Sequence, residues 1–321
     1  MIEIAQYESN YKSLWNDFVK RSKNGSFLFC RDYMEYHADT FSDSSLLFFE
    51  EGDLVAIMPA NTADNVVYSH GGLTFGGIVS GPEMRIELML HVFASLTEHL
   101  REQKIRTVIY KPVPHIYHVI PAEEDLYALF RHNAQLVRRD ASTAVLLDQR
   151  IPFSRGKKRR IQLGKRNEIV AKRTDDFRAF MEIVTDILAR KYSVAPTHTA
   201  NEMELLSKRF PENIKLFAAY KEGIMLAGVA VYDYKSVAHA QYIASSEEGQ
   251  KMGAGELIMD YLIDDYSSGS SKRYFDFGIS TEQGGRYLNA GLSAHKEGFG
   301  GRTITYDAYE VDVANTKPSE V

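Results

Sequence analysis

Cysteine is almost absent from this sequence. Cys30 is the only one in 321 residues, so no internal disulfide and no multi-cysteine metal site can form. It sits in the apolar run Phe27-Leu28-Phe29-Cys30, the setting of a buried, inert thiol rather than a nucleophile. Long apolar stretches are missing too: none approaches the roughly 20 residues that span a bilayer. The opening Met1-Ile2-Glu3-Ile4 has neither the basic start nor the apolar core of a secretory signal, which makes the cytoplasm the expected compartment. There is no excess of basic charge. The net charge of −5 argues against a general affinity for nucleic acid or anionic membrane, while leaving room for a local basic patch. Ten histidines are present, yet none pairs with cysteine or carboxylate at metal-site spacing, so no metal is expected. Heptad repeats and low-complexity segments are also lacking.

What is present is the patterning of an ordinary α/β protein, long enough for two domains. Residues 45–58 and 66–79 are rich in β-branched and aromatic residues and flank the turn-like Thr62-Ala63-Asp64-Asn65, so they read as paired strands. After Gly81-Pro82, the residues Ile86, Met89, Leu90, Phe93, Leu96 and Leu100 recur at helical spacing. A strand over 106–111, a helix over 123–131 and a strand over 141–147 follow. The second half repeats this order. It has helices marked by Phe177, Phe180, Met181, Val184, Ile187 and Leu188 and over 201–209, then strands at 214–220, 225–233 and 236–243. A helix over 253–266, a strand over 272–278, a short helix near 283–290 and a strand over 303–313 complete it. The order β-α-α-β-β-β-α-β-α-β predicts an α/β (α+β) fold with mixed sheets. Apolar periodicity gives way to charge near 150–167, which sets the expected domains at 1–150 and 151–313, with a disordered tail over 314–321.

The sharpest local signal is Gln250-Lys251-Met252-Gly253-Ala254-Gly255, a Q-x-x-G-x-G string between a predicted strand and a predicted helix. The N-terminus of a helix offers unpaired N–H groups and partial positive charge to a pyrophosphate. Glycines let the backbone approach the phosphate oxygens, and Lys251 can add charge. The corresponding helix of the first half opens Gly81-Pro82-Glu83-Met84, where proline removes a donor and glutamate opposes a phosphate. Only the second half is therefore expected to bind such a cofactor.

With that string, the element order resembles the GNAT superfamily of acyl-CoA N-acyltransferases. The duplication resembles its FemAB branch, in which two GNAT-like halves share one chain. Three further stretches carry the likeness: Ser69-His70-Gly71-Gly72-Leu73-Thr74-Phe75-Gly76-Gly77, Tyr274-Phe275-Asp276-Phe277-Gly278, and the segment from Gly291 to Gly301 containing Lys296-Glu297-Gly298-Phe299-Gly300. The resemblance implies two tandem GNAT-like domains and an acyl-CoA co-substrate, most simply acetyl-CoA. Fem peptidyl transferases use aminoacyl-tRNA, and some carry a coiled-coil arm, for which this chain has no heptads.

Several side chains follow as candidates. Acyl transfer needs a neutral amine, a stabilised oxyanion and a proton for the leaving group. The GNAT pattern meets the oxyanion with backbone amides where the fourth strand splays, a place filled here by Tyr242, Ile243 and Ala244. Lys296 matches the lysine of the Fem segment and would favour developing negative charge. Asp276, which alternates with Phe275 and Phe277, can serve as a base or hold the amine. Tyr287, expected in the helix after that strand, stands where many GNAT enzymes keep a tyrosine acid; Glu282 and His295 are weaker candidates. His70 before its run of glycines can act as base or contact a sugar, with Ser69, Gly71 and Gly72 beside the acceptor. The basic segment Arg155-Gly156-Lys157-Lys158-Arg159-Arg160, followed by Lys165 and Arg166, would place Arg155, Arg159 and Arg166 along one helix face. With Lys158 this gives a cationic rim for a phosphorylated acceptor, either nucleotide-linked or lipid-linked. Aromatic interleaving is absent, which disfavours a single-strand nucleic-acid surface. The expected function is N-acylation of an amino group on a sugar or cell-envelope precursor. The alternatives are aminoacyl-tRNA-dependent transfer to a peptidoglycan precursor and non-catalytic precursor binding.

Overall fold

The computed structural model describes residues 1–37 and 40–314; from residue 315 onward, the expected disordered tail lies outside the described residues. The chain forms two compact units, and neither is one continuous stretch. Unit 1 contains Met1–Ala141, Thr281–Tyr287 and the stretch beginning at Thr305, and unit 2 contains Ser142–Ser280 and Leu288–Ile304. The first passage from one to the other comes at Ala141/Ser142, within the strand Gln135–Leu146, rather than at a single junction in 150–167.

In unit 1, the strands Ile2–Gln6, Leu46–Glu50, Asp53–Met58 and Val79–Ser80 form an antiparallel sheet. The predicted strand over 45–58 is thus a hairpin. Glu51 and Gly52 both take positive φ at its tip, the backbone that a two-residue hairpin turn requires. Val66–Tyr68 runs parallel to Thr107–Tyr110, and the helix Ile86–Glu102 makes the crossover, as parallel neighbours need. Thr107–Tyr110 also pairs antiparallel with residues 309–312 of the C-terminal strand Arg302–Asp312. The helix buries Met89, Leu90, Phe93, Leu96 and Leu100 against Phe48, Met58, Val108 and Tyr110. Two expectations fail here. Residues 69–77 form a loop rather than a strand, and Pro82 and Glu83 lie in a turn before the helix, which begins at Ile86.

In unit 2, one sheet runs in the order 142–146, Tyr274–Ile279, Val237–Ser245, Ile224–Asp233, Ile214–Lys221, Val170–Thr174. Every pairing is antiparallel except that between Val237–Ser245 and Tyr274–Ile279, which the helix Ala254–Gly269 connects. That helix buries Leu257, Ile258, Leu262 and Ile263 against Val229, Val231, Phe275 and Phe277. The helices Phe177–Tyr192 and Ala200–Arg209 fall where periodicity predicts, the second closed by a capping box between Thr199 and Glu202. No helix forms over 283–290: Gln283, Gly284 and Gly285 all have positive φ, and the helix begins instead at Ala290, running to Glu297.

Candidate functional site

The centre of unit 2 is a fork in its sheet. Val237–Ser245 pairs in parallel with its neighbour over only three positions, ending at His239 opposite Asp276. On its other side the same strand stays paired as far as Ser245. Its register slips between Ala230 and Val231, leaving Gln241 as the extra residue of a bulge. A bulge adds twist to the strand that carries it, and this one falls just where the two strands part. Tyr242, Ile243 and Ala244, the residues expected to offer an oxyanion-binding backbone, lie on the strand beyond the fork. Tyr242 turns its hydroxyl to His198, 2.8 Å from Nδ1 and accepting from the His198 amide at 3.2 Å. Burial raises its pKa. Ile243 is exposed and Ala244 buried.

Asp276 sits at the fork, 0% exposed, with Phe275 and Phe277 on the opposite, core face. Its carboxylate accepts from Ser142 Oγ at 2.7 Å and the Gly278 amide at 3.1 Å, and His239 Nδ1 lies 2.8 Å away. The Gly278 backbone has φ +76, and the missing Cβ would stand 3.4 Å from His239 Cε1. Lys296, near the end of the helix Ala290–Glu297, is only 5% exposed. Its Nζ donates to the carbonyls of Gly278 at 2.8 Å and Ile279 at 2.6 Å. Burial pulls its pKa down to about 8, against the upward influence of Asp276. Lys296 and Asp276, two of the sequence candidates, therefore converge on one turn. His239 completes the group; a lone histidine in an apolar strand gives no sequence signal.

Tyr287 is not in a helix. It lies in the two-residue strand Tyr287–Leu288 and is 52% exposed, because the glycine turn before it breaks any helical run. Glu282 is exposed in the two-residue strand Thr281–Glu282.

The Gln250–Gly255 string spans the end of one helix and the start of the next: Gly253 is the N-cap of the helix Ala254–Gly269, which has no side-chain cap. Ser246 caps a short helix, Glu247–Met252, so Gln250, Lys251 and Met252 form its last turn and present carbonyls. Arg160 donates to the carbonyls of Gln250 and Lys251, and Asn167 to that of Met252. The Gly253 amide is bound to the Gly249 carbonyl. Gly253 takes φ +84, and a Cβ there would stand 2.4 Å from the Arg160 carbonyl oxygen; a Cβ on Gly164 would stand 3.0 Å from the Gly253 oxygen. These glycines let two helices touch, and the Lys251 side chain is exposed.

The second of those helices is the basic segment. Ser154 caps Arg155–Arg166 by accepting from the Lys157 amide. Ile161 and Gly164 face the helix Ala254–Gly269, while Lys158, Arg159 and Arg166 point outward along an open groove with Gln162 and Leu163, and Arg155 is exposed. Lys157 is the exception. It turns inward, over the Phe299 ring, with Nζ 2.8 Å from His295 Nδ1 and 3.3 Å from Glu256 Oε1. Burial lowers the Lys157 pKa despite the pull of Glu256. Burial, then the Lys157 charge, bring His295 down to about 4, so its ring accepts as the neutral form. Burial alone would raise Glu256, but Lys157 and Arg160 together hold it below the usual carboxylate range.

In unit 1, Ser69 is buried, its hydroxyl accepting from the Lys111 amide at 2.8 Å. His70 follows with φ +62, its ring 5.2 Å from that of Phe41. Burial lowers its pKa to about 4, with Lys111 adding to the effect. The Gly71 amide donates to Asn61 Oδ1 at 2.6 Å. A Cβ on Gly72 would meet the Phe41 ring at 2.6 Å, so this glycine is a packing requirement. Among the described residues, no cluster of three His, Cys, Asp or Glu side chains suits a metal, and no helix is long and apolar enough to cross a membrane.

Residues 153–288 match the acetyltransferase (GNAT) domain family. No curated protein matches the chain. Among solved structures it is similar to FemX, at 12% identity over 97% of each chain with a TM-score of 0.67. It is also similar to the C-terminal domain of a putative lysylphosphatidylglycerol synthetase from Agrobacterium fabrum, at 10% identity over 94% of this chain and 91% of that one, TM-score 0.62. A tandem GNAT protein from the clavulanic acid biosynthesis pathway aligns over 99% of this chain and 100% of its own, at 11% identity and TM-score 0.51. Residues 153–288 thus carry the match to the GNAT family, and the chain as a whole has the tandem, FemAB-like form of that fold.

Proposed function

We propose that this chain is a cytoplasmic N-acyltransferase that takes an acyl group, most simply acetyl, from acyl-CoA and places it on an amine of a sugar or cell-envelope precursor. The observation that carries the reading is the fork at His239/Asp276, with the buried Lys296 ammonium held at its edge by the Gly278 and Ile279 carbonyls. Backbone beyond a fork is polar but has no ladder partner on that side, so it can meet the donor carbonyl, and a nearby fixed cation favours the oxyanion. The donor's phosphates would be met by the outward cations Arg155, Lys158, Arg159 and Arg166 together with the uncapped start of the helix Ala254–Gly269, since the carbonyls of 250–252 and Gly253 are committed to helix packing.

A second reading keeps the transfer and changes the donor to an aminoacyl-tRNA. The close approach of Arg160 to Gly253 favours it, because it fills ground that a CoA diphosphate would otherwise use. Likeness to FemX and to a putative lysylphosphatidylglycerol synthetase supports the same alternative. One experiment separates the two. The purified protein is given acetyl-CoA with a panel of amino sugars and nucleotide-linked amino sugars, and separately charged tRNA with the same acceptors. Release of free CoA with an acylated amine supports the first reading; aminoacylated product without any CoA response selects the second. No transfer from either donor would sink both.

A further inference from the structure

We infer that Ser142, His239 and Asp276 are positioning residues for Lys296, acting through the backbone of Gly278. Only the kinetic arm of the test rests on the acyltransferase reading; the arrangement itself is a matter of geometry. Asp276 is a fully buried carboxylate in a sheet interior, where an apolar side chain of similar volume is often no less stable. Its partners come from three strands: Ser142 from one neighbour, His239 from the other, and the Gly278 amide from two residues ahead on its own. That last bond is the side-chain-to-backbone turn that aspartate makes two residues on. It bends the strand, and the pairing with the strand at 142–146 slips between Asp276 and Ile279 as a result. The bend brings the Gly278 and Ile279 carbonyls to one point, where Lys296 Nζ donates to both.

Residue 278 is therefore gripped at both ends of its peptide groups. Its N–H is held by a carboxylate and its carbonyl by an ammonium. Only glycine suits the φ of +76 this demands. Asp276 and Lys296 need not touch to be coupled, because loosening the first releases the carbonyls that seat the second.

Competitive labelling of lysine amines with an anhydride reagent, read by mass spectrometry across pH, tests this without any turnover. In wild-type protein the Lys296 amine should become reactive as pH rises through about 8. Asp276→Asn keeps an acceptor for the Gly278 amide but loses the charge. It should shift the Lys296 curve to lower pH by at least half a unit, about a threefold gain in reactivity at fixed pH. Ser142→Ala should shift it less in the same direction. His239→Gln, which keeps a donor, should lie nearer wild type than His239→Leu. If Asp276→Asn does not fold, the Ser142 and His239 variants carry the test alone. In the kinetic arm, kcat should fall with KM unchanged. Labelling curves that superimpose on wild type in every folded variant would overturn the proposal. A wild-type protein that transfers no acyl group but shows the shifted curves would retain it and remove only the functional reading.

Discussion

The carbonyl oxygen of Arg160 lies 2.4 Å from where a Cβ on Gly253 would stand, so a backbone atom of one helix fills the side-chain space of another. Replacing Gly253 with valine should therefore destabilise the fold rather than weaken donor binding in an intact protein. Left-handed backbone strain and overpacking together cost on the order of 2–6 kcal/mol. Urea or thermal unfolding would measure it. A variant of wild-type stability with a raised KM for acyl-CoA would restore the phosphate cradle expected from the sequence.

On the proposed reading, Lys296 sets a pH limit on activity. Its burial lowers the pKa to about 8 while Asp276 works the other way. The charged form is present below that value and is lost as pH rises through it. Turnover that depends on the ammonium should fall above about pH 8, and Lys296→Met should remove that limb together with roughly 100-fold in kcat. A pH–rate profile unchanged by the substitution would reduce Lys296 to a structural clamp.

The outward face of the helix Arg155–Arg166 invites charge reversal. Arg159→Glu or Lys158→Glu should weaken binding of a phosphorylated ligand about fivefold for each ~1 kcal/mol of attraction removed, with folding stability changed by less than about 0.5 kcal/mol. The effect should shrink as salt is raised. Calorimetric titration with CoA at two salt concentrations reads both features. Equal affinity in wild type and variants would place the phosphates elsewhere.

Unit 1 holds a buried titrating group of its own. Tyr110 donates to Asp125 Oδ2 at 2.7 Å, and burial lifts the Asp125 carboxyl to about 7. A carboxyl whose folded pKa is raised lends stability at low pH. That stability is lost as pH climbs from the ordinary carboxylate range through about 7, by at most about 1.4 kcal/mol per pH unit. Asp125→Asn should flatten this decline in chemical denaturation between about pH 4 and 7. A slope equal to wild type would assign the titration to another group.

Periodicity made much of the framework legible. The stripe Met89, Leu90, Phe93, Leu96, Leu100 is the buried face of its helix, because one apolar side facing a sheet is a local pattern. Turns were harder. The run over 45–58 reads as one strand because Glu51-Gly52 hardly interrupts its apolar character, and Gln283-Gly284-Gly285 moves the last helix seven residues on from its predicted start near 283 to Ala290. Within the site, Asp276 and Lys296 could be nominated, but not His239, whose partner lies 37 residues away. Nor could Lys157 be told from its cationic neighbours, since only the packing of its helix turns it inward. In the string 250–255 the glycines announced a close approach without saying to what: the visitor is a helix of the same chain.

The interleaving of the two units has a practical consequence for anyone dividing this gene. A fragment ending near residue 150 would keep Thr107–Tyr110 but lose residues 309–312 that pair with it, along with Val311 and Val313 from the same core. Its sheet would end in an open edge above a hollow interior, prone to self-association. Separate expression of either part should give insoluble material, whereas coexpressing complementary pieces offers a route to reassembly.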